Sequence, residues 1–187
     1  MGIITTTEQA LINATETAFN NTLKAVKPVP GPITIDVLKQ MISVSPAVHV
    51  AFLGGAAQKD VDAAYMDGRW TAYITSKNAG GGLPRLHGDA TEIGIYEIVE
   101  RLVPTLHDLN IEDVGTCQFL DVKNLFSIQL QEKLGAALWA VVFNVPMPFP
   151  DDFDPASLAD FLTFHGESDI NGDGDYDTTH DFELPQN

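Results

Sequence analysis

The acidic residues 169–174, with the sequence DINGDG, carry the clearest chemical pattern in the chain. Oxygen-bearing side chains at the first, third and fifth positions, with glycine at the sixth, are typical of the start of a calcium-binding loop. The candidate metal ligands are Asp169, Asn171, Asp173, Asp175 and Asp177. The twelfth position holds His180 instead of a bidentate glutamate, so an acidic turn that binds no ion is the alternative. We expect no cofactor, with a weakly bound structural calcium ion as the open alternative.

Residues that could form a catalytic site are scattered along the chain. No two of the five histidines have the spacing of metal ligands on a helix, and no nucleophile or zinc-protease motif is present. The triplet 80–82 (GGG) fits neither of the glycine-rich phosphate-binding patterns. The single cysteine, Cys117, excludes an internal disulfide and a cysteine-cluster metal site. The sequence therefore predicts no catalytic residues, no cofactor-binding residues and no enzyme activity.

The distribution of charge divides the chain into two parts. The net charge is −16, which disfavours nucleic-acid binding because that needs clustered lysine and arginine. Eleven of the 26 acidic residues follow Phe149, and no lysine or arginine does. We predict a main domain over residues 1–150 and an acidic segment over 151–187, with a short hairpin joined to the domain. No apolar stretch reaches the ~18 residues that a membrane span needs, so no membrane partner is expected.

The element that organises the predicted domain is the apolar stretch 134–150, LGAALWAVVFNVPMPFP. Its centre, 139–145, is rich in β-branched and aromatic residues, which favours a strand. Apolar side chains at consecutive positions indicate that both faces of this strand are covered. Because proline has no amide hydrogen, we expect strand pairing to end at Pro146.

Helices are predicted from capping patterns and apolar spacing. Thr5 and Glu8 have the spacing of a capping box, which predicts a first helix whose apolar face extends to Val26. A second helix is predicted over 34–42, with Ile35 buried. Asp89 and a following apolar stripe predict a main helix that begins at that residue.

Strands are predicted over 47–53, 69–77 and 114–122, with a glycine-rich loop over 78–88. Two short strands are predicted in the acidic segment. Hairpins separated by helices indicate an α+β fold: a largely antiparallel sheet with helices packed on one face.

Several stretches together resemble the tail-terminator (neck) proteins of Mu-like bacteriophages and prophages. They are 46–55 (PAVHVAFLGG), 69–79 (RWTAYITSKNA), 88–109 (GDATEIGIYEIVERLVPTLHDL), 123–127 (KNLFS), 133–149 (KLGAALWAVVFNVPMPF) and the terminal 183–186 (ELPQ). The match covers most of the chain, and the order of the segments makes it fairly specific. The calcium-like run 169–177 lies outside this pattern. The fold that the resemblance implies is that of phage tail terminators, in agreement with the predicted element order.

The resemblance implies a structural virion protein of the neck. Such proteins form a ring, usually a hexamer, that caps the tail tube, stops its elongation and joins it to the head connector or stopper. DNA would pass through the acidic lumen without specific binding, and the protein would be found in the virion and, during assembly, in the host cytoplasm. The candidate contacts between rings are Lys77, Arg85, Leu86, Asn124, Leu125 and Phe126. The alternatives are another ring-forming head–tail completion or tail-tube component, and a calcium-binding interaction module.

Overall fold

The computed structural model describes residues 2–29, 33–58, 64–78, 82–125, 134–149, 163–168 and 178–183. The helices are α1 (Ile3–Phe19), α2 (Ile35–Ser43), α3 (Gly82–His87) and α4 (Ile95–Leu106). The strands are β1 (Ala25–Pro28), β2 (Ala47–Ala57), β3 (Tyr65–Ser76), β4 (Asn110–Ile111), β5 (Gly115–Thr116), β6 (Gln118–Asn124), β7 (Ala137–Pro148), β8 (Thr163–Ser168) and β9 (Thr178–Glu183).

A five-stranded sheet forms the centre of the fold, in the order β1-β2-β3-β7-β6. The β1–β2 pair is parallel, and the other three pairs are antiparallel. The predicted α+β class with a largely antiparallel sheet is therefore confirmed. The strand β1 escaped prediction because it has only four residues and ends on a proline.

The main hydrophobic core lies between one face of this sheet and the helices α1 and α4. It includes Trp70, Phe143, Leu11, Ile98 and Leu102, all of which are almost completely buried. Alternate strand residues point to the opposite face. There Leu38 and Ile42 of α2 pack against Leu138 and Tyr73 in a separate, smaller cluster. The helix α2 thus lies on the face opposite α1 and α4. The prediction that the helices pack on one face was correct for α1 and α4 and wrong for α2, because both faces of the central strands carry apolar side chains that need covering.

The first helix is displaced from its predicted bounds. It begins at Ile3, with Gly2 at the N-cap, so Thr5 and Glu8 lie inside the helix and form no capping box. It ends at Phe19, where Asn20 adopts a left-handed conformation with φ of 40°. Val26 is buried as predicted, but it belongs to β1. The predicted helix was too long because Val26 has the spacing of the helix's apolar face although it belongs to the strand that follows.

The main helix also begins later than predicted. Its N-cap is Gly94, and Asp89 instead caps a turn, where its Oδ1 accepts hydrogen bonds from the backbone N–H groups of Thr91 and Glu92 at 2.8 and 3.0 Å. A turn and a helix N-terminus present the same pair of N–H donors to an aspartate. Ile35, predicted to be buried, is 70% exposed at the first position of α2, whereas Leu38 and Ile42 further along the helix are buried.

Pairing of β7 continues past Pro146 on one side only. Pro146 and Pro148 are paired with Asp67 and Tyr65 of β3, so the prediction of an end at Pro146 was wrong on that side. The N–H of Phe149 donates to the carbonyl of Ala64 at the β3 edge. Successive backbone N–H groups of a strand point to opposite sides, so the nitrogen atoms of Pro146 and Pro148, which carry no hydrogen, face the β6 side. On that side the pairing of β7 with β6 ends at Asn144.

The predicted third strand, 114–122, is interrupted at Cys117. Its first part is β5, which pairs with β4 in a separate two-stranded sheet, and its second part is β6. The predicted loop 78–88 contains the short helix α3.

The chain divides into two compact units, 1–149 and 150–187. In the second unit β8 and β9 pair as an antiparallel hairpin.

Candidate interaction surface

The residues proposed as inter-ring contacts converge on one end of the sheet, where β7 begins. Lys77 follows Ser76, which is paired with Ala137 on one side of β7. On the other side, Asn124 is paired with Trp139, and the N–H of Leu125 donates to the carbonyl of Leu138 at 3.0 Å. Lys77 and Leu125 therefore flank the start of β7. We call this region, with α3, the α3 end.

Hydrogen bonds hold α3 against the end of β3. The Nε of Arg85 donates to the carbonyl of Asn78 at 3.2 Å, and the Nδ2 of Asn78 donates to Oδ2 of Asp89 at 2.6 Å. Hydrogen bonds from Thr91 and Asn78 hold the pKa of Asp89 well below its ordinary value of 3.8. Asp89 thus stays ionised and connects β3, α3 and the loop before α4.

Three rings connect α3 to the sheet across α4. His87 contacts Tyr96 edge-on with 5.1 Å between centroids, and Tyr96 contacts Trp139 in the same way at 5.6 Å. Such edge-to-face contacts favour a fixed relative placement of the elements that carry them. The α3 end is therefore a supported surface with defined side-chain positions.

The α3 end also exposes apolar side chains. Leu83 of α3 is 71% exposed, Tyr96 of α4 is 37% exposed, and Leu125, directly after β6, is 36% exposed. The sequence predicted the segment 80–86 as a contact loop without singling out Leu83, and it did not indicate Tyr96, which lies next to the apolar stripe of α4. The spacing of Leu83 and Leu86, which are three residues apart, could have predicted a helical turn with both side chains on one face.

The α3 end carries two cations without an acidic partner in the described ranges. Of the eight lysines and arginines in these ranges, four form ion pairs, as Lys24 does with Glu92 at 2.6 Å and Lys39 with Asp36 at 2.9 Å. Lys77 and Arg85 are among the four that form none, together with Lys27 and Arg69. In a chain of net charge −16, this end is both basic and apolar.

The other predicted site residues divide into two groups. Leu86 is half-buried at the α3 end, whereas Phe126 lies outside the described residues. All five candidate calcium ligands, Asp169, Asn171, Asp173, Asp175 and Asp177, also lie outside them. Within the described ranges, no three histidine, cysteine or acidic side chains come close enough to hold a metal ion.

The buried titratable groups lie apart from this surface. His49 is 4% exposed, and burial, together with the charge of Lys27, lowers its pKa to about 4. Burial raises the pKa of the Cys117 thiol to about 12. Both side chains are therefore uncharged at neutral pH. None of the helices among the described residues has the length and apolar character needed to cross a membrane.

These features define an α+β protein with a supported basic and apolar surface at one end of its sheet, and comparison places it among the proteins of Mu-like bacteriophages. The chain belongs to the family described as Bacteriophage Mu, Gp37, whose model matches residues 3–147. The family predicted from the sequence segments is thereby confirmed.

Two relatives match over most of their length. The chain is 28% identical over 164 residues to the "Mu-like prophage FluMu protein gp37" of Haemophilus influenzae, covering 88% of this chain and 80% of the relative. It is 26% identical over 159 residues to the "Probable tail terminator protein" of Escherichia phage Mu, covering 83% and 80%. A chain in the solved "Virion of native gene transfer agent (GTA) particle" matches with a TM-score of 0.49 at 12% identity, over 79% of this chain and 98% of that one.

Proposed function

We propose that this protein is a structural tail terminator, which forms a ring, with six copies as the expected number, on the finished tail tube and stops its elongation. The observation that carries the proposal is the match to the phage Mu protein named a probable tail terminator, over 83% of this chain. The ring would also join the tube to the head connector. In this role the protein makes and breaks no covalent bonds.

The α3 end is proposed to make the axial contact with the adjoining ring of the neck. It lies at the ends of the strands, and it combines exposed Leu83 with the cations Lys77 and Arg85. A partner surface that carries carboxylates around an apolar patch would complement it. Desolvated apolar contacts would supply affinity there, and the charges would supply orientation and association rate.

The acidic composition suits a ring around a DNA passage. A wall of negative charge repels the DNA phosphates, so that DNA slides without binding. We therefore propose an acidic lumen. A reconstruction of the ring with a basic lumen wall would contradict this part of the proposal.

Charge reversal tests the axial contact. We expect Lys77→Glu to leave the thermal midpoint of the purified protein unchanged, because the side chain is exposed and unpaired among the described residues. The same variant should lower the yield of joined particles in a complementation assay on the order of tenfold. Lys39→Glu is the matched control, since its pair with Asp36 is solvent-exposed and contributes little. If Lys77→Glu and Lys39→Glu give equal yields of joined particles, the α3 end does not form the axial contact.

A further inference from the structure

Two β-bulges lie at opposite edges of the sheet, at the two ends of one row of paired residues. The row runs Phe52, Trp70, Phe143, Phe119 across the strands β2, β3, β7 and β6. The register shifts directly after Phe52 in β2 and directly after Phe119 in β6. The residue that follows in each strand is a leucine, Leu53 or Leu120. Bulges re-aim side chains, so each edge presents one apolar side chain at the same level of the sheet.

Both leucines are solvent-exposed although they belong to strands. Leu53 is 51% exposed and Leu120 is 47% exposed. The strand β1 ends opposite Val50, so beyond that residue the outer edge of β2 has no strand partner among the described residues. The outer edge of β6 has none there either.

Apart from its bulge, the free edge of β2 lacks the charged residues and prolines that usually protect an edge strand. Its residues 52–57 (FLGGAA) carry no charge and no proline, whereas β1, at the same side of the sheet, carries Lys27 and Pro28. An uncharged, exposed edge with a leucine favours association with another chain. An exposed edge of this kind does not lead to aggregation if another subunit covers it in the assembled particle.

Charges of opposite sign accompany the two leucines. Arg69 of β3 lies opposite the β2 bulge, between the paired positions Trp70 and Gly68, and it forms no ion pair within the described ranges. Asp121 follows Leu120 in β6, and its carboxylate is 3.7 Å from Lys123 and solvent-exposed. By strand alternation and pairing, Arg69 and Asp121 share the sheet face opposite the main core. One side of the sheet therefore combines an exposed leucine with a cation on the neighbouring strand, and the other combines an exposed leucine with an anion whose partner, Lys123, lies 3.7 Å away in the same strand.

We propose that these two edges are the lateral contact between copies of this chain, with Leu53 and Arg69 of one copy against Leu120 and Asp121 of the next. The inference rests on the proposed ring and adds the surfaces that close it. A head-to-tail ring needs two different, complementary patches on each copy, and opposite edges of one sheet supply them. The α3 end, at the ends of the strands, then remains available to the adjoining ring.

Disulfide cross-linking tests the contact. Three strand spacings separate β2 from β6, roughly 14 Å, whereas a disulfide needs Cα atoms within ~7 Å. A bond between cysteines at positions 53 and 120 is therefore intermolecular. The native Cys117 is buried and is the only cysteine of the chain, so the background is low. Oxidised particles carrying Leu53→Cys with Leu120→Cys should give a ladder of covalent multimers that ends at the ring.

Single variants distinguish the head-to-tail arrangement from a symmetric one. Leu53→Cys alone and Leu120→Cys alone should give monomers. Covalent dimers from either single variant would overturn the proposal, because they would place identical edges together. The control is the double variant Leu53→Cys with Leu83→Cys, in which the second cysteine is exposed at the α3 end. It should give no ladder of covalent multimers.

A charge exchange provides the second measurement. Arg69→Asp should reduce complementing titre at least tenfold through like-charge contact, and adding Asp121→Arg should restore most of it. Suppose that mass measurement shows a ring of wild-type protein on the particles. The absence of both the disulfide ladder and the charge-exchange rescue would then overturn the lateral contact, while the proposed function would stand. If wild-type protein forms no ring on tails, the proposed function itself fails.

Discussion

The Nδ2 group of Asn78 donates a hydrogen bond to Oδ2 of Asp89 over 2.6 Å, and this bond connects the end of β3 to the loop that leads into α4. The carboxylate of Asp89 accepts from Thr91 and Glu92 as well. All of these donors favour the ionised form, which is why the pKa of Asp89 is lowered.

The first prediction concerns acid stability. Because the folded-state pKa of Asp89 lies below its ordinary value of 3.8, its contribution to stability is present above pH 3.8 and is lost as the pH falls below that value. Asp89→Asn should therefore make the free energy of unfolding less dependent on pH below 4. Urea titrations between pH 2.5 and 5 measure this, with Asp36→Asn, at an exposed α2 position, as the control. Parallel pH profiles for wild type and Asp89→Asn would contradict the prediction.

The second prediction concerns the loop that Asp89 supports. Gly88, with φ of 79°, and Gly94 approach each other so closely that a Cβ on Gly94 would overlap the backbone of His87 and Gly88. Gly94→Ala should lower the free energy of unfolding by roughly 1–3 kcal/mol, since backbone cannot move aside cheaply.

The matched control for this substitution is Gly82→Ala, because a Cβ there meets no atom within 4 Å. It should be neutral or stabilise by up to ~1 kcal/mol through the reduced freedom of the unfolded chain. Similar losses for both variants, measured by chemical denaturation, would show that the close approach does not matter.

The third prediction concerns His49. Its pKa falls from 6.5 to about 4 through burial and the charge of Lys27, so the unfolded chain binds more protons between these values. Stability should therefore decrease as the pH falls from 6.5 toward 4, by roughly 1–3 kcal/mol. His49→Gln should remove most of this dependence in denaturant titrations. If His49→Gln keeps the full pH dependence of the free energy of unfolding, other titratable groups cause it.

The fourth prediction concerns calcium. The twelfth position of the acidic run is His180, so we expect no heat on titration of the wild-type protein with Ca²⁺ up to millimolar concentration. His180→Glu supplies the missing bidentate ligand and should introduce saturable binding. Saturable heat with the wild-type protein that Asp173→Asn abolishes would instead establish a calcium site.

Some elements were predictable because their side-chain pattern has one solution. Alternation in 69–77 and the apolar stretch around Trp139 admit only strands, and both became central strands of the sheet. Asp89 was misplaced because the same donors occur in a turn and at a helix N-terminus. The bulge leucines Leu53 and Leu120 were not predictable, since a bulge depends on the register between two strands that sequence alone does not fix.

The central claim is that this protein ends tail growth. The most direct measurement is the distribution of tail lengths in electron micrographs of lysates from a phage or prophage that lacks only this protein. We expect tubes that exceed the normal length, vary widely and carry no heads, with normal length restored when the protein is supplied in trans. Tails of uniform, normal length in its absence would contradict it.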